Sequence, residues 1–201
     1  EQPAATPMFS SERTTLVRES ARVVLSYENI GFAAGCILLM KEALSEGAEA
    51  VLLVNNDAEA TEGFLSEPLR LLSEPGVGFV ESLILTSDGF RVDTAGHRHL
   101  TSGDVIPEGR GLPAGAVVAN REILSGCAAS LFLKSEMLLD VGFFEEDFFL
   151  GYEDVDLTCR ASMMGWRGVM CASSVVKHRL NASIEKVRDV AYYTRSQRNA
   201  L

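Results

Sequence analysis

Short apolar runs and helically spaced apolar positions alternate along the first half of this chain. Arg22-Val23-Val24-Leu25-Ser26 reads as a short buried strand that ends in the turn-prone Glu28-Asn29-Ile30-Gly31. From 32 to 45 the apolar residues recur at helical spacing, and Gly47 stands where such a helix would stop. Residues 51–54 give the next strand. Thr61 is placed to cap a helix over 62–73, which halts before Pro75-Gly76, and 77–85 gives a further strand with a break expected near Glu81. This rhythm implies βαβ units, hence an α/β fold with a mostly parallel central sheet flanked by helices.

Residues 86–124 interrupt the rhythm. They are rich in Gly and Pro, with strand-like pieces at 90–94 and 116–119, and read as a meandering excursion or a loop over a site. Regular structure is expected again at 128–133, in helices over 135–140 and from 153 or 154 to 164, and in strands over 167–171 and 174–178. The tail 184–201 reads as helical. The polar stretch 1–20 reads as a linker or as a weak helix over 11–20.

Composition narrows the function classes. With 201 residues, 47% hydrophobic and 23% charged, the chain has the make-up of one ordinary globular domain. A net charge of -10 disfavours a nucleic-acid partner, whose binding rests on Lys and Arg at phosphates. It also means that a phosphorylated ligand needs a cation or a local basic group. No apolar run is long enough to span a membrane. Cys36, Cys127, Cys159 and Cys171 lack metal or CxxC spacing and read as reduced small hydrophobes of a cytosolic protein.

Two acidic clusters carry the candidate chemistry. Asn55-Asn56-Asp57-Ala58-Glu59 directly follows an apolar strand, where open α/β sheets bind ligands. Its hard oxygen donors stand two apart, as suits a divalent cation. A solvated loop start or a helix cap explains the same residues about as well. Glu153-Asp154-Val155-Asp156 follows Phe148-Phe149-Leu150-Gly151-Tyr152. Acids in a first helical turn are favoured by the helix dipole alone, but aromatic neighbours lower the local dielectric and suit a general base. His178, at the end of a strand-like stretch, is a structural histidine or a further ligand for a cation such as manganese. His97 and His99 read as surface residues. The glycines of Gly31-Phe32-Ala33-Ala34-Gly35 form a turn that places a helix N-terminus near a phosphate, or only a helix start.

Taken in order, the motifs are no longer independent. Asn29-Ile30-Gly31-Phe32-Ala33-Ala34-Gly35, Leu52-Leu53-Val54-Asn55-Asn56-Asp57-Ala58-Glu59, Gly142-Phe143-Phe144-Glu145-Glu146-Asp147-Phe148-Phe149, Tyr152-Glu153-Asp154-Val155-Asp156-Leu157 and Gly165-Trp166-Arg167 resemble the family 2 glycosyltransferases. The likeness is to the bacterial rhamnosyltransferase-like branch with a GT-A fold, and it runs from about Arg22 to the end. It implies an inverting transferase moving a sugar from a nucleotide-diphosphate donor to an acceptor hydroxyl of a carbohydrate or lipid-linked saccharide, in bacterial cell-surface polysaccharide or glycoconjugate synthesis. Asp57 would be the chief carboxylate on a Mn2+ or Mg2+ ion, Asn55, Asn56 and Glu59 would stand beside it, and His178 would ligate the same ion. Gly31 and Gly35 would belong to the donor side. Asp154 would be the base, flanked by Glu153 and Asp156. Ser125, Gly126 and Cys127 would line the acceptor cleft, with Trp166 packed behind the base helix.

The resemblance also implies four parts in one domain: a polar segment 1–21, a donor and metal half 22–85, the excursion 86–124, and an acceptor and base half 125–201. The family begins with a strand and loop that grip the nucleotide base. None is found before Arg22, so the chain is expected to be incomplete there, and also at its end. The expected location is cytoplasmic or peripheral at the inner face of the plasma membrane. Two other readings use the same residues: a non-catalytic carbohydrate- or nucleotide-binding module, and a metal-dependent phosphohydrolase.

Overall fold

The computed structural model describes residues 13–18, 21–179 and 198–199. Strands β1 (Arg13–Arg18) and β2 (Ala21–Ser26) pair antiparallel in a sheet of their own. A weak helix or linker was expected over the first of these, but Thr14-Thr15-Leu16-Val17 is dominated by β-branched residues, which favour a strand. The expected strand at 22–26 is present but not buried: Val23 and Leu25 are 43% and 48% exposed.

Helix α1 (Gly31–Ser45) buries Ala33, Ile37 and Met40, spaced four and three apart on one face, and Gly47 follows it at φ +83. Strands β3 (Ala50–Val54) and β4 (Ala58–Ala60) come next. Helix α2 (Ser66–Leu72) is shorter than the expected 62–73. Starting at Glu62 would put Pro68 in the helix interior, whereas starting at Ser66 leaves it in the first turn, where its missing N–H costs nothing. Thr61, expected as the cap, instead donates its hydroxyl to the Val175 carbonyl.

Strand β5 (Val77–Thr86) runs unbroken through the fully buried Glu81, where a break was expected. The excursion holds β6 (Val92–Thr94), a hairpin of β7 (His97–His99) and β8 (Val105–Pro107), and β9 (Arg121–Ile123). The strand expected at 116–119 is absent, and a 3-10 turn at Ala114–Ala116 stands just before it. Then follow β10 (Ser130–Lys134), α3 (Ser135–Val141), α4 (Glu153–Met163) and β11 (Arg167–His178). The two strands expected at 167–171 and 174–178 are one, with an irregular register against β5 between Cys171 and Val175. The helix expected over 184–201 lies outside the described residues except for Arg198 and Asn199.

The large sheet has the order β3-β10-β5-β11-β4, with β6 beside β5 and β9 beside β11. Its pairing is more mixed than the βαβ rhythm suggests. β5 and β11 pair in parallel, but β10 returns antiparallel between β3 and β5 because the excursion, not a crossover helix, leads into it. The three strands β3, β5 and β11 therefore point the same way, and Asn55, Thr86 and His178 stand at their carboxyl ends. Side chains alternate across the sheet. Phe79, Leu131 and Leu133 pack with α1, α3 and α4 on one face, while Val80 and Phe132 pack with Leu71 and Leu72 of α2 on the other. Gly168 lies against the Phe79 ring, which leaves no room for a Cβ. The four cysteines are free. No helix among the described residues is long and apolar enough to cross a membrane.

Candidate functional site

The two acidic clusters meet across two consecutive residues. The N–H of Asn55, just past β3, donates to the Ala129 carbonyl at 3.2 Å. The neighbouring Ala128 N–H donates to Asp154 Oδ2 at 2.8 Å. The loop leading into β10 thus connects the end of β3 to the first turn of α4.

On the β3 side, strand pairing brings in the histidine. β4 runs antiparallel to the end of β11 with Ala58 opposite His178, and Arg179 N–H bonds the Asp57 carbonyl at 2.9 Å. Asp57 Oδ1 and His178 Nε2 are 3.2 Å apart, and Asn55 Nδ2 is 3.4 Å from the same ring nitrogen. Asn56 and Glu59 are exposed. The other ring nitrogen, Nδ1, lies 3.2 Å from Oδ2 of Asp93, a residue that nothing in its sequence context marks out. The Asp93 hydrogen bond, with Asp57 adding its charge, raises the His178 pKa above the usual histidine range.

A divalent cation fits Asp57 and His178. Adjacent ligands in an octahedron with bonds of about 2.1 Å stand about 3 Å apart, close to the separation of these two donors. Among the described residues no three His, Cys, Asp or Glu side chains are arranged as a complete metal cage. Two protein donors leave most of the coordination to a ligand, the usual arrangement for a cation held with phosphates.

On the α4 side, the segment expected in the cleft is tied to the base helix and to β5. Gly126 N–H donates to Thr158 Oγ1, Cys127 N–H to Glu81 Oε2, and Ala128 N–H to Asp154. Asp154 Oδ1 also accepts the Val155 N–H at 2.8 Å. Burial pushes the Cys127 thiol well above its usual range, with Asp154 and Glu81 adding to it, so it is no thiolate nucleophile. Glu81 accepts Gly96 N–H through its other oxygen, and burial raises its pKa to about 8. An acid inside an apolar run is the sequence signal for Glu81, and it points to this buried bracket where a strand break was expected.

Ser125 is fully buried, with Oγ 2.7 Å from His99 Nε2 and 3.3 Å from His97 Nδ1. The two histidines are therefore half-buried members of this region, not the surface residues expected. Burial lowers both of their pKa values.

Other expected residues stand elsewhere. Asp156 is held by Arg160 at 2.7 Å, and Arg160 also donates to the Val141 and Phe143 carbonyls, so Asp156 locks a loop and does not orient Asp154. Glu153 is buried with Oε2 unpartnered, and burial, then the Asp154 charge, raises its pKa to about 8. Trp166 donates its indole N–H to Asp140 of α3 and stands past the far end of α4, which runs about 14 Å from Asp154 to Met163. It packs against the core cluster that includes Leu157 and Ala161 of this helix. The first N–H groups of α1 do not face a ligand either: Phe32 and Ala33 N–H both bond the Phe149 carbonyl. Gly31 is thus a packing glycine and no phosphate contact, and Gly35 lies within the helix.

Gly31 has φ +83, and a Cβ there would lie 2.5 Å from the Phe149 ring. Phe149 and Tyr152 have positive φ themselves, at 58 and 72, in the loop that delivers Asp154. Asn199 Nδ2 donates to the Phe148 and Gly151 carbonyls, and Arg198 to that of Asp147, which braces this loop. Gly31→Ala is expected to cost about 1–3 kcal/mol in urea unfolding, since strain and overlap add.

No family model and no curated protein matches the chain by sequence. Solved structures do match by shape. One is GalNAc-T7 with UDP, GalNAc and Mn2+, at TM-score 0.62 and 10% identity, covering 77% of this chain and 31% of that one. Another is the mannosyltransferase PcManGT from Pyrobaculum calidifontis in complex with GDP-Man and Mn2+, at TM-score 0.50 and 18% identity, covering 79% of this chain and 39% of that one. The chain spans between 31% and 39% of the length of these structures. At such identities the likeness establishes the fold, which is GT-A.

Proposed function

We propose that a chain with this GT-A fold is the catalytic part of a metal-assisted, inverting glycosyltransferase of the family 2, rhamnosyltransferase-like kind, using a nucleotide-diphosphate sugar. The observation that carries the reading is the junction at Ala128 and Ala129, which joins Asn55-Asn56-Asp57 to Asp154. It supports a donor and metal half within 22–85 and an acceptor and base half within 125–201.

Asp57 and His178 would hold Mn2+ or Mg2+ between them and the donor's diphosphate. Bound there, the cation supplies Lewis-acid stabilisation of the negative charge growing on the leaving group. Asn55, beside the same ring nitrogen, fills out the polar rim. Asp154, fixed by Ala128 N–H at Oδ2 and by Val155 N–H at Oδ1, retains a further lone pair on each oxygen to accept the proton of the acceptor hydroxyl as it attacks the anomeric carbon from the opposite face. One such carboxylate suffices for inversion. In this reading the product is a glycoside in a cell-surface polysaccharide or glycoconjugate.

The test is donor-side binding. Thermal unfolding with Mn2+ and UDP or GDP should show stabilisation that needs both components. Asp57→Ala should erase that gain while leaving the unliganded midpoint near its parent value. Stabilisation that persists in Asp57→Ala would refute the metal assignment.

A further inference from the structure

Three groups around His178 stand in a line: Asp57 at Nε2, Asp93 at Nδ1, and Arg110 beyond Asp93. Asp93 is 4% exposed at its side chain. Its position has a structural cause. In the pairing of β5 with β6, Ile84 faces Thr94 and Leu85 faces Val92, so Asp93 is the extra residue of a bulge. A bulge re-aims one side chain out of the alternating pattern. Arg110 then pins what the bulge presents, donating to Asp93 Oδ1 at 2.7 Å and to its backbone carbonyl at 3.2 Å. Oδ2 is left for the imidazole.

An ionised carboxylate only accepts, so Nδ1 of His178 carries the proton it faces. By the same rule Nε2 carries a proton toward Asp57, 3.2 Å away, and a cation bound between Asp57 and the ring would displace that proton while Asp93 keeps the one on Nδ1. We infer that Asp93, held by Arg110, is a positioning residue that fixes the ring orientation and tautomer of His178 for a divalent cation shared with Asp57. The inference rests on the metal reading above. It adds a part of the site outside both acidic clusters, contributed by the excursion, and makes β6 and the segment bearing Arg110 structural members of the metal centre. Outer-shell carboxylates of this sort change metal affinity by roughly 10–100-fold when removed.

The experiment is a Mn2+ titration of the full chain, alone and with UDP or GDP, read by EPR. Asp57→Ala and His178→Ala address the metal reading. Parent-like Mn2+ affinity in both, or no binding by the parent chain, would overturn that reading together with the inference. Asp93→Asn is expected to bind Mn2+ roughly 10–100-fold more weakly than the parent. Arg110→Gln, at a half-exposed side chain that leaves the core intact, should weaken binding in the same direction by a smaller factor. Because Asp93 acts through the ring, Asp93→Asn should add nothing in a His178→Ala background. An unchanged affinity in both Asp93→Asn and Arg110→Gln, or an equal drop with and without His178, would overturn the inference and leave the metal reading standing.

Discussion

Replacing Asp154 by Asn is expected to lower sugar transfer by roughly 10²–10⁴-fold, the usual contribution of a positioned general base. The substitution is nearly isosteric. The amide oxygen can still accept the Ala128 N–H that Asp154 Oδ2 accepts at 2.8 Å, so the link between the loop and α4 survives, and only the local bond from Val155 N–H to the other oxygen is lost. What disappears is the lone pair able to take a proton. The loss should therefore fall on kcat with the complete protein and the nucleotide sugar it turns over, while the affinity for Mn2+ with UDP or GDP stays within about twofold. Unchanged turnover would remove Asp154 from the base role. A matching loss of nucleotide binding would move it to the donor side.

The second large effect is on stability and follows from two buried acids. Glu81 and Glu153 are each raised to about 8, chiefly by burial, from the ordinary glutamate value of 4.5. Both are thus protonated in the folded chain at pH 7 and ionised in the unfolded one. Between about pH 4.5 and 8 the folded state holds protons that the unfolded state releases, so stability must fall as pH rises through that window and level off above it. A difference of one pKa unit between the folded and unfolded states is worth about 1.4 kcal/mol. Total stabilities are about 5–15 kcal/mol, so the change is a large fraction of the whole. Urea midpoints should decline steadily from about pH 5.5 to about pH 8.5. Glu153→Gln should flatten the decline and raise the midpoint at the alkaline end, because an amide has no charge to bury. A flat profile in the parent protein would show that neither acid is buried in its neutral form.

The residues legible in sequence share a property: their role follows from neighbours along the chain. The periodicity of 32–45 and the apolar runs at 51–54 and 128–133 each correspond to an element that the structure contains. The expected pair Asp57 and His178 is together, although far apart along the chain, because strands β3 and β11 run in the same direction and end beside one another through β4. What sequence does not reveal depends on register. Asp93 looks like any acid between β-branched residues until the bulge opposite Ile84 and Leu85 turns it toward His178. Gly31 was expected on the donor side, in a turn that starts a helix, but the carbonyl of Phe149, remote in sequence, takes the N–H groups of Phe32 and Ala33. Asp156 was expected beside the base, and an arginine one helical turn on takes its carboxylate. The mixed direction of the sheet likewise depends on where β10 inserts, which no local pattern records.

The junction at Ala128 and Ala129 has a further consequence. Both of its bonds use main-chain atoms of the alanines, an N–H from one and a C=O from the other. Neither bond uses the methyl groups, so the buried space around them, and not the bonds, limits what could stand there, while proline at 128 would also delete a donor. The wiring of the site is in this sense silent in the amino-acid alphabet.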